Sequence, residues 1–328
     1  MSARTPRRIV LTTDAAREIA PALRARGDAE VLERYDLADI LDEALIIDGL
    51  AGAFAVVAGS ERYSRAVLEA LPALRAIVRF GVGYDAVDLE AASDAGVAVL
   101  TTPGANAEAV ADMALALLLS CIRGLPELGA AVRDGRWKPV APSRDLAGAT
   151  VAIVGLGAIG RAVARRLRGF GCRLIAVEPA PDERAAAELG VELLGLEAAL
   201  ARADAVTLHA ALTERTHHLI GARELALLAP HAVLVNTSRG GLVDQTALLE
   251  ALRAGRIAAA GLDVFEREPP DPEDPLLAMR NVVLAGHVSS YTRLGISSTC
   301  DAVLERVVTL LGGVLPAGSL SWPGWTTL

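Results

Sequence analysis

The chain is nearly without lysine: among 32 basic residues in a length of 328, Lys138 is the single one. It stands beside Trp137 in a Gly-, Arg- and Pro-rich stretch, so Schiff-base chemistry is not expected, and no GxxxxGK[ST] phosphate loop occurs. Cysteine is also scarce. Cys121, Cys172 and Cys300 are far apart and odd in number; they form no CxxC metal or redox pair, and a reducing cytoplasm is the expected setting. No apolar run reaches the ~20 residues of a membrane span. The most apolar stretch, 109–122, contains Asp112 and reads as a buried helix. Ile9-Val10-Leu11, after Arg4, Arg7 and Arg8, is too short for the core of a signal peptide, so no targeting segment is expected. Positive charge is in deficit as well. Asp+Glu 40 against Lys+Arg 32 leave a net charge of −8, with a pI near 5.3, which argues against nucleic acid or an anionic membrane as partner.

Apolar residues, by contrast, make up 52% of the chain and charged ones 22%. That is enough for a large core, and at ~150 residues per domain the length suggests two domains. Over the first hundred residues short apolar runs at 8–13, 29–35, 53–59, 74–80 and 96–102 alternate with helical patterns such as 14–27 and 64–72. Strand, helix, strand at this spacing implies right-handed crossovers and a parallel sheet. Residues 106–123 form one helical pattern, with Asn106 as expected N-cap, Glu108 in the first turn and Arg123 near the end. It is apolar almost all round, so it is expected to be buried between domains or subunits. A short helix and a crossing arm are expected over 124–149. A second alternating series follows, with near-continuous apolar strands at 150–155, 172–178, 203–210, 232–238, 257–263 and 281–286. Residues 293–314 read as helix and the rest as a Pro/Gly-rich tail. The fold class is therefore α/β, with two parallel-sheet units and a boundary near residue 104.

The strand over 150–155 runs into GLGAIG and then a helix, so Gly155, Gly157 and Gly160 give a GxGxxG turn, with Ala158 and Ile159 inside it. The first glycine makes the turn and the second lets backbone approach a pyrophosphate. The third seats the helix, whose N-terminal N–H groups face the phosphates. The next strand ends at Glu178, where an acidic side chain can bind both hydroxyls of a ribose. No positive charge follows until Arg184, which favours NAD over NADP. SAM-binding folds use a related turn, so the motif alone leaves that alternative open.

Three polar positions fall at or beyond the ends of later strands, where doubly wound sheets place ligands: Arg239, Glu268 and His287. Reducing a keto acid needs a cation for the carboxylate, a proton donor for the carbonyl oxygen and an acid that orients the donor. Arg, His and Glu supply these in turn.

The run NTSRGGLVDQTALLEALRAGRIAAAGLDVFEREPP, with GHVSS after it, resembles the signature region of the D-isomer-specific 2-hydroxyacid dehydrogenases. FGVGYDAVDLEAASDAGVAVLTTPGANAEAVADMALALLL, GLGAIG and LHAALTERTHHLIG resemble the same family in the same order, so the likeness spans roughly residues 50–300. It implies a catalytic set of Arg239, Glu268 and His287. It further implies that backbone N–H groups around Val82 and Gly83 hold the substrate carboxylate, and that Arg79 stands where phosphoglycerate dehydrogenase-like relatives also have Arg. The nicotinamide half of NAD would be lined by His209, Ala210, Thr237, Ser238 and Asp263, with Ser289 also among the cofactor positions. His217 and His218 match no motif, and no metal is expected.

The resemblance implies a flavodoxin-like substrate domain, 1–103 plus 291–328, into which a Rossmann NAD-binding domain, 104–290, is inserted. It also implies catalysis in a cleft and a homodimer through the NAD domain. No effector-binding module is expected after about residue 314. The implied activity is NAD-dependent interconversion of a 2-keto acid and its D-2-hydroxy acid. The alternative is a catalytically quiet, NAD-sensing corepressor-like protein. This chain departs from the family at Ala211, for the proline of LHxPLT, at Gly286, for the proline before the histidine, and at Ser289 and Ser290. These changes bear on substrate identity more than on reaction type.

Overall fold

The computed structural model describes residues 6–38, 40–137, 143–321 and 324. Lys138, the middle of the expected arm and the end of the tail lie outside them. The chain divides into two compact units, Met1–Asn106 with Thr292–Leu328, and Ala107–Tyr291.

In the first unit the described strands are β1 (Arg7–Leu11), β2 (Ala29–Glu33), β3 (Ala55–Ala58), β4 (Ala76–Arg79) and β5 (Ala98–Leu100). They form one parallel sheet in the order β2-β1-β3-β4-β5, a flavodoxin-like winding. β3, β4 and β5 are buried at every residue because helices cover both faces. The helix expected over 14–27 is split into a 3-10 turn, Asp14–Ile19, and a helix, Ala20–Ala25. Pro21 accounts for the break, since it lacks an N–H and is tolerated only in a first helical turn. The long helix Arg293–Leu311 is capped by Thr292 and buries Val303, Val307 and Leu310 against Ile9, Leu11, Val57, Val78 and Leu100. The tail then runs back along the edge strand β5. Leu320 N–H donates to Val99 O at 2.8 Å, and Ser321 Oγ accepts from Val99 N at 2.9 Å and donates to Val97 O at 2.6 Å.

The second unit holds β6 (Thr150–Val154), β7 (Arg173–Val177), β8 (Val191–Leu193), β9 (Ala205–Leu208), β10 (Val233–Asn236), β11 (Ala259–Leu262) and β12 (Val282–Leu284). All pair in parallel, in the order β12-β11-β10-β9-β6-β7-β8. The winding reverses between β6 and β9, the switch point at which such sheets bind nucleotides. The edge strand β8 was not expected, because three residues are too few to show a period. The helix Ala107–Arg123 buries Ala111, Ala114, Leu117 and Leu118 in a core shared with β6, β10 and the helix Ala158–Leu167. One expectation for it is corrected. Asn106 Oδ1 is buried with no hydrogen-bond partner among the described residues, so it does not cap the helix. Met113, Leu119 and Ile122 are partly buried against the same core. Glu108 is held by Arg165 at 2.7 Å and Arg166 at 2.6 Å, and Asp112 by Arg166 at 2.6 Å. Among the described residues no single helix is long and apolar enough to cross a membrane.

Candidate active site

The glycine turn lies directly after β6. Gly155 has φ +96°, and a Cβ there would stand 2.6 Å from the carbonyl carbon of His209. A Cβ on Gly160 would strike the carbonyl oxygen of Gly155, whereas one on Gly157 would meet nothing within 4 Å. The turn is thus closed behind and open in front, as a backbone cradle for a pyrophosphate must be. The helix it opens, Ala158–Leu167, has no side-chain cap and no acidic residue in its first turn, so Ala158, Ile159 and Gly160 start an uncapped N-terminus. Glu178, just past β7, reaches this turn: its Oε2 accepts from Leu156 N at 2.9 Å.

The ends of β9 and β10 carry two buried polar atoms with no hydrogen-bond partner among the described residues, His209 Nδ1 and Thr237 Oγ1. His209 Nε2 is 2.9 Å from Thr207 Oγ1. Burial pushes its pKa down to about 3, so the ring is neutral at any working pH. Orphaned polar atoms beside the glycine turn, with the open cradle and Glu178, fit a dinucleotide. The Ser238 hydroxyl donates to Ala210 O at 2.6 Å and ties the two strand ends together.

Arg239 follows β10 in a turn shaped by Asn236, a buried residue that sequence reasoning passed over. Asn236 Nδ2 donates to Arg239 O at 2.8 Å, and its Oδ1 accepts from Ser238 N at 3.0 Å. An Asn two residues ahead of a serine is the local signal for such a turn. Glu268 and His287 come together, with Oε2 to Nδ1 at 2.6 Å, while Glu268 Oε1 accepts from Phe265 N at 3.0 Å. Burial on its own would raise the Glu268 pKa. The bond to His287, its charge, the Phe265 N–H and the Arg239 charge outweigh that and hold it below the usual carboxylate range. The Glu268 carboxylate therefore stays ionised at neutral pH, and its stabilising charge is lost only as pH falls through this lowered value.

His287 has φ +56°, a left-handed backbone that costs a β-carbon-bearing residue on the order of 1 kcal/mol. Asp263, past the end of β11, holds it there. Asp263 is 1% exposed. Its carbonyl accepts from His287 N at 2.6 Å, Oδ1 from Val288 N at 2.9 Å and Oδ2 from Ser289 N at 3.0 Å, and Oδ2 also contacts Ser289 Oγ. Asp263 and Ser289, expected beside the nicotinamide, bond each other, and Asp263 also bonds the segment carrying the histidine. His217 and His218 stack at 4.0 Å in an exposed turn, His218 against Glu266 at 2.5 Å. No group of three or more His, Cys, Asp or Glu is placed to hold a metal among the described residues.

Val82 and Gly83 lie in the loop after β4, within the first unit. Arg79 ends β4, just before this loop. It is 8% exposed, and its Nε donates to Gly83 O at 3.1 Å.

Residues 115–289 match the family described as D-isomer specific 2-hydroxyacid dehydrogenase, NAD binding domain. The chain is 41% identical over 302 residues to a glyoxylate reductase of Korarchaeum cryptofilum, covering 89% of this chain and 91% of that one. It is 35% identical over 317 residues to a D-3-phosphoglycerate dehydrogenase of Methanocaldococcus jannaschii, covering 96% of this chain and 59% of that one. Among solved structures, an NADPH-dependent glyoxylate/hydroxypyruvate reductase from Sinorhizobium meliloti, in complex with NADP and malonate, superposes with a TM-score of 0.85 at 32% identity over 99% of both chains. These relatives carry enzyme names and lend nothing to the corepressor alternative. The chain belongs to the D-isomer specific 2-hydroxyacid dehydrogenase family and is an NAD-dependent oxidoreductase that interconverts 2-keto and D-2-hydroxy acids.

Proposed function

We propose that the enzyme reduces a small, unphosphorylated 2-keto acid of the glyoxylate or hydroxypyruvate type, with NADH as the preferred cofactor. The observation that carries this reading is the His287–Glu268 pair at 2.6 Å, past the strand ends of the glycine-turn sheet. The bound dinucleotide supplies the hydride to the keto carbon. His287, anchored through Nδ1, presents Nε2 to the carbonyl oxygen and delivers the proton. Glu268 fixes the ring's orientation and stabilises its charged form. Arg239 grips carboxylate and carbonyl oxygen. The first unit, taken by itself, offers N–H groups around Val82 and Gly83 as an anion site suited to a carboxylate.

Arg79, 8% exposed and with its Nε engaged by Gly83 O, favours an unphosphorylated substrate. Similarity to a glyoxylate reductase over most of both chains supports the small acid. Glu178 beside the glycine turn disfavours a 2′-phosphate, and the next cation, Arg184, is paired with Glu188 at 2.9 Å. A homodimer through the second unit is supported by the helix Leu125–Arg133, which buries no residue. Leu125 and Val132 on it are exposed, as is Trp137 just beyond. A cytoplasmic setting suits the three free thiols.

The test is NADH oxidation with glyoxylate, hydroxypyruvate, pyruvate and phosphohydroxypyruvate, repeated with NADPH. Turnover should be greatest with one of the first two and with NADH; a preference for the phosphorylated acid would overturn the substrate assignment. Glu268→Gln should move the alkaline fall of the keto-acid reduction rate to lower pH, because the proton-donor form of the site loses its neighbouring negative charge. An unchanged pH–rate profile would remove the coupling between Glu268 and His287.

A further inference from the structure

The loop after β4 is held by its carbonyl groups. Gly81 O accepts from Thr102 N at 2.9 Å and from Thr102 Oγ1 at 3.1 Å, and Gly83 O accepts from Arg79 Nε at 3.1 Å. In a trans peptide the N–H points opposite to the C=O. Pinning these two carbonyls therefore turns the N–H groups of Val82 and Tyr84 away from Thr102 and Arg79. None of Val82, Gly83 and Tyr84 donates its N–H to another described residue. Successive outward N–H groups form a concave anion site.

The far end of the loop is fixed by Tyr63, whose N–H donates to Ala86 O at 2.8 Å and whose carbonyl accepts from Asp88 N at 3.0 Å. Tyr63 is fully buried, and its hydroxyl donates to Glu61 Oε1 at 3.0 Å. Glu61 is 1% exposed, touches the Thr12 hydroxyl and has Oε2 buried with no hydrogen-bond partner among the described residues. Burial and the Glu61 charge raise the Tyr63 hydroxyl well above its ordinary pKa, while the Arg79 charge opposes the rise. These groups follow β1, β3 and β4, and in this strand order the winding reverses between β1 and β3.

We propose that Glu61, Tyr63 and Arg79 are positioning residues for substrate binding: a buried support that holds the loop's carbonyls inward so that its N–H groups face the substrate carboxylate. The inference rests on the reading of this loop as the carboxylate site. It gives Arg79 a part in keto-acid affinity through Gly83 O, and Glu61 a part through the Tyr63 hydroxyl.

The experiment compares Arg79→Met, Arg79→Lys, Glu61→Gln, Tyr63→Phe and Val82→Pro in the full chain. It measures KM and kcat for glyoxylate at saturating NADH, oxalate affinity in the presence of NADH, and NADH affinity by fluorescence. Arg79→Met should raise both the KM and the oxalate Kd about tenfold, equivalent to about 1.4 kcal/mol. In that variant kcat should change much less and NADH affinity not at all, and Arg79→Lys should recover part of the loss. Oxalate affinity unchanged in folded Arg79→Met, but lost in Val82→Pro, overturns the positioning role and leaves the loop reading standing. Oxalate affinity unchanged in both overturns the loop reading and the proposal with it. Equal loss of NADH and oxalate affinity overturns the proposal by showing general damage. Should Arg79→Met fail to fold, Tyr63→Phe and Glu61→Gln decide: a raised KM with unaltered NADH affinity supports the proposal, and an unaltered KM in both overturns it.

Discussion

Replacing His287 by Asn is expected to lower kcat about a thousandfold, within the range that general acid–base groups contribute. NADH affinity should stay within about twofold, because no part of the glycine turn or of Glu178 depends on the imidazole. Asn is the instructive choice. The backbone at 287 is left-handed, which Asn tolerates better than Ala or Gln, so the variant removes the proton donor without adding strain. Its melting temperature should equal or exceed the parent's. A variant that loses NADH binding, or that keeps most of its turnover, would take the proton-donor role away from His287.

Asp263→Ala is expected to act through structure on the same step. It leaves the N–H groups of Val288 and Ser289 without acceptors, and the Ser289 hydroxyl without a partner, all beside a position that is 1% exposed. Unsatisfied donors of this kind cost about 1–3 kcal/mol each before relaxation, so a loss of about 3 kcal/mol and roughly 10 °C in melting temperature is expected. Because the same loop carries His287, kcat should fall more than tenfold in the folded fraction, and thermal melts beside kinetics at low temperature separate the two effects. A variant with parental stability and reduced NADH affinity would give Asp263 the cofactor-lining part first expected of it.

The partners of Asp263 show where sequence reading stops. The parallel strands were legible because a strand covered on both faces is apolar along its length, as Ala205–Leu208 is. The glycine turn and Glu178 were legible because their chemistry is local to one strand, turn and strand. Asp263 takes its partners from residues 25 and 26 positions away, and nothing in a linear pattern says which acid will be engaged by backbone and which left for a ligand. Arg79 poses the same problem. A strand-end arginine looks alike in sequence whether its head group meets solvent or turns onto Gly83. Glu61 gave no signal, since an isolated acid after a strand usually faces water. Arg239, Glu268 and His287 were conspicuous by position, but the joining of two of them at 2.6 Å is a tertiary fact.

The pairing of residues 320 and 321 with β5 bears on how the protein can be handled. An uncovered edge strand is a template onto which a foreign strand can add. Here the tail occupies part of that edge, taking up the N–H and carbonyl of Val99. Shortening the chain to before residue 319 would lay this edge open and invite association between molecules during expression.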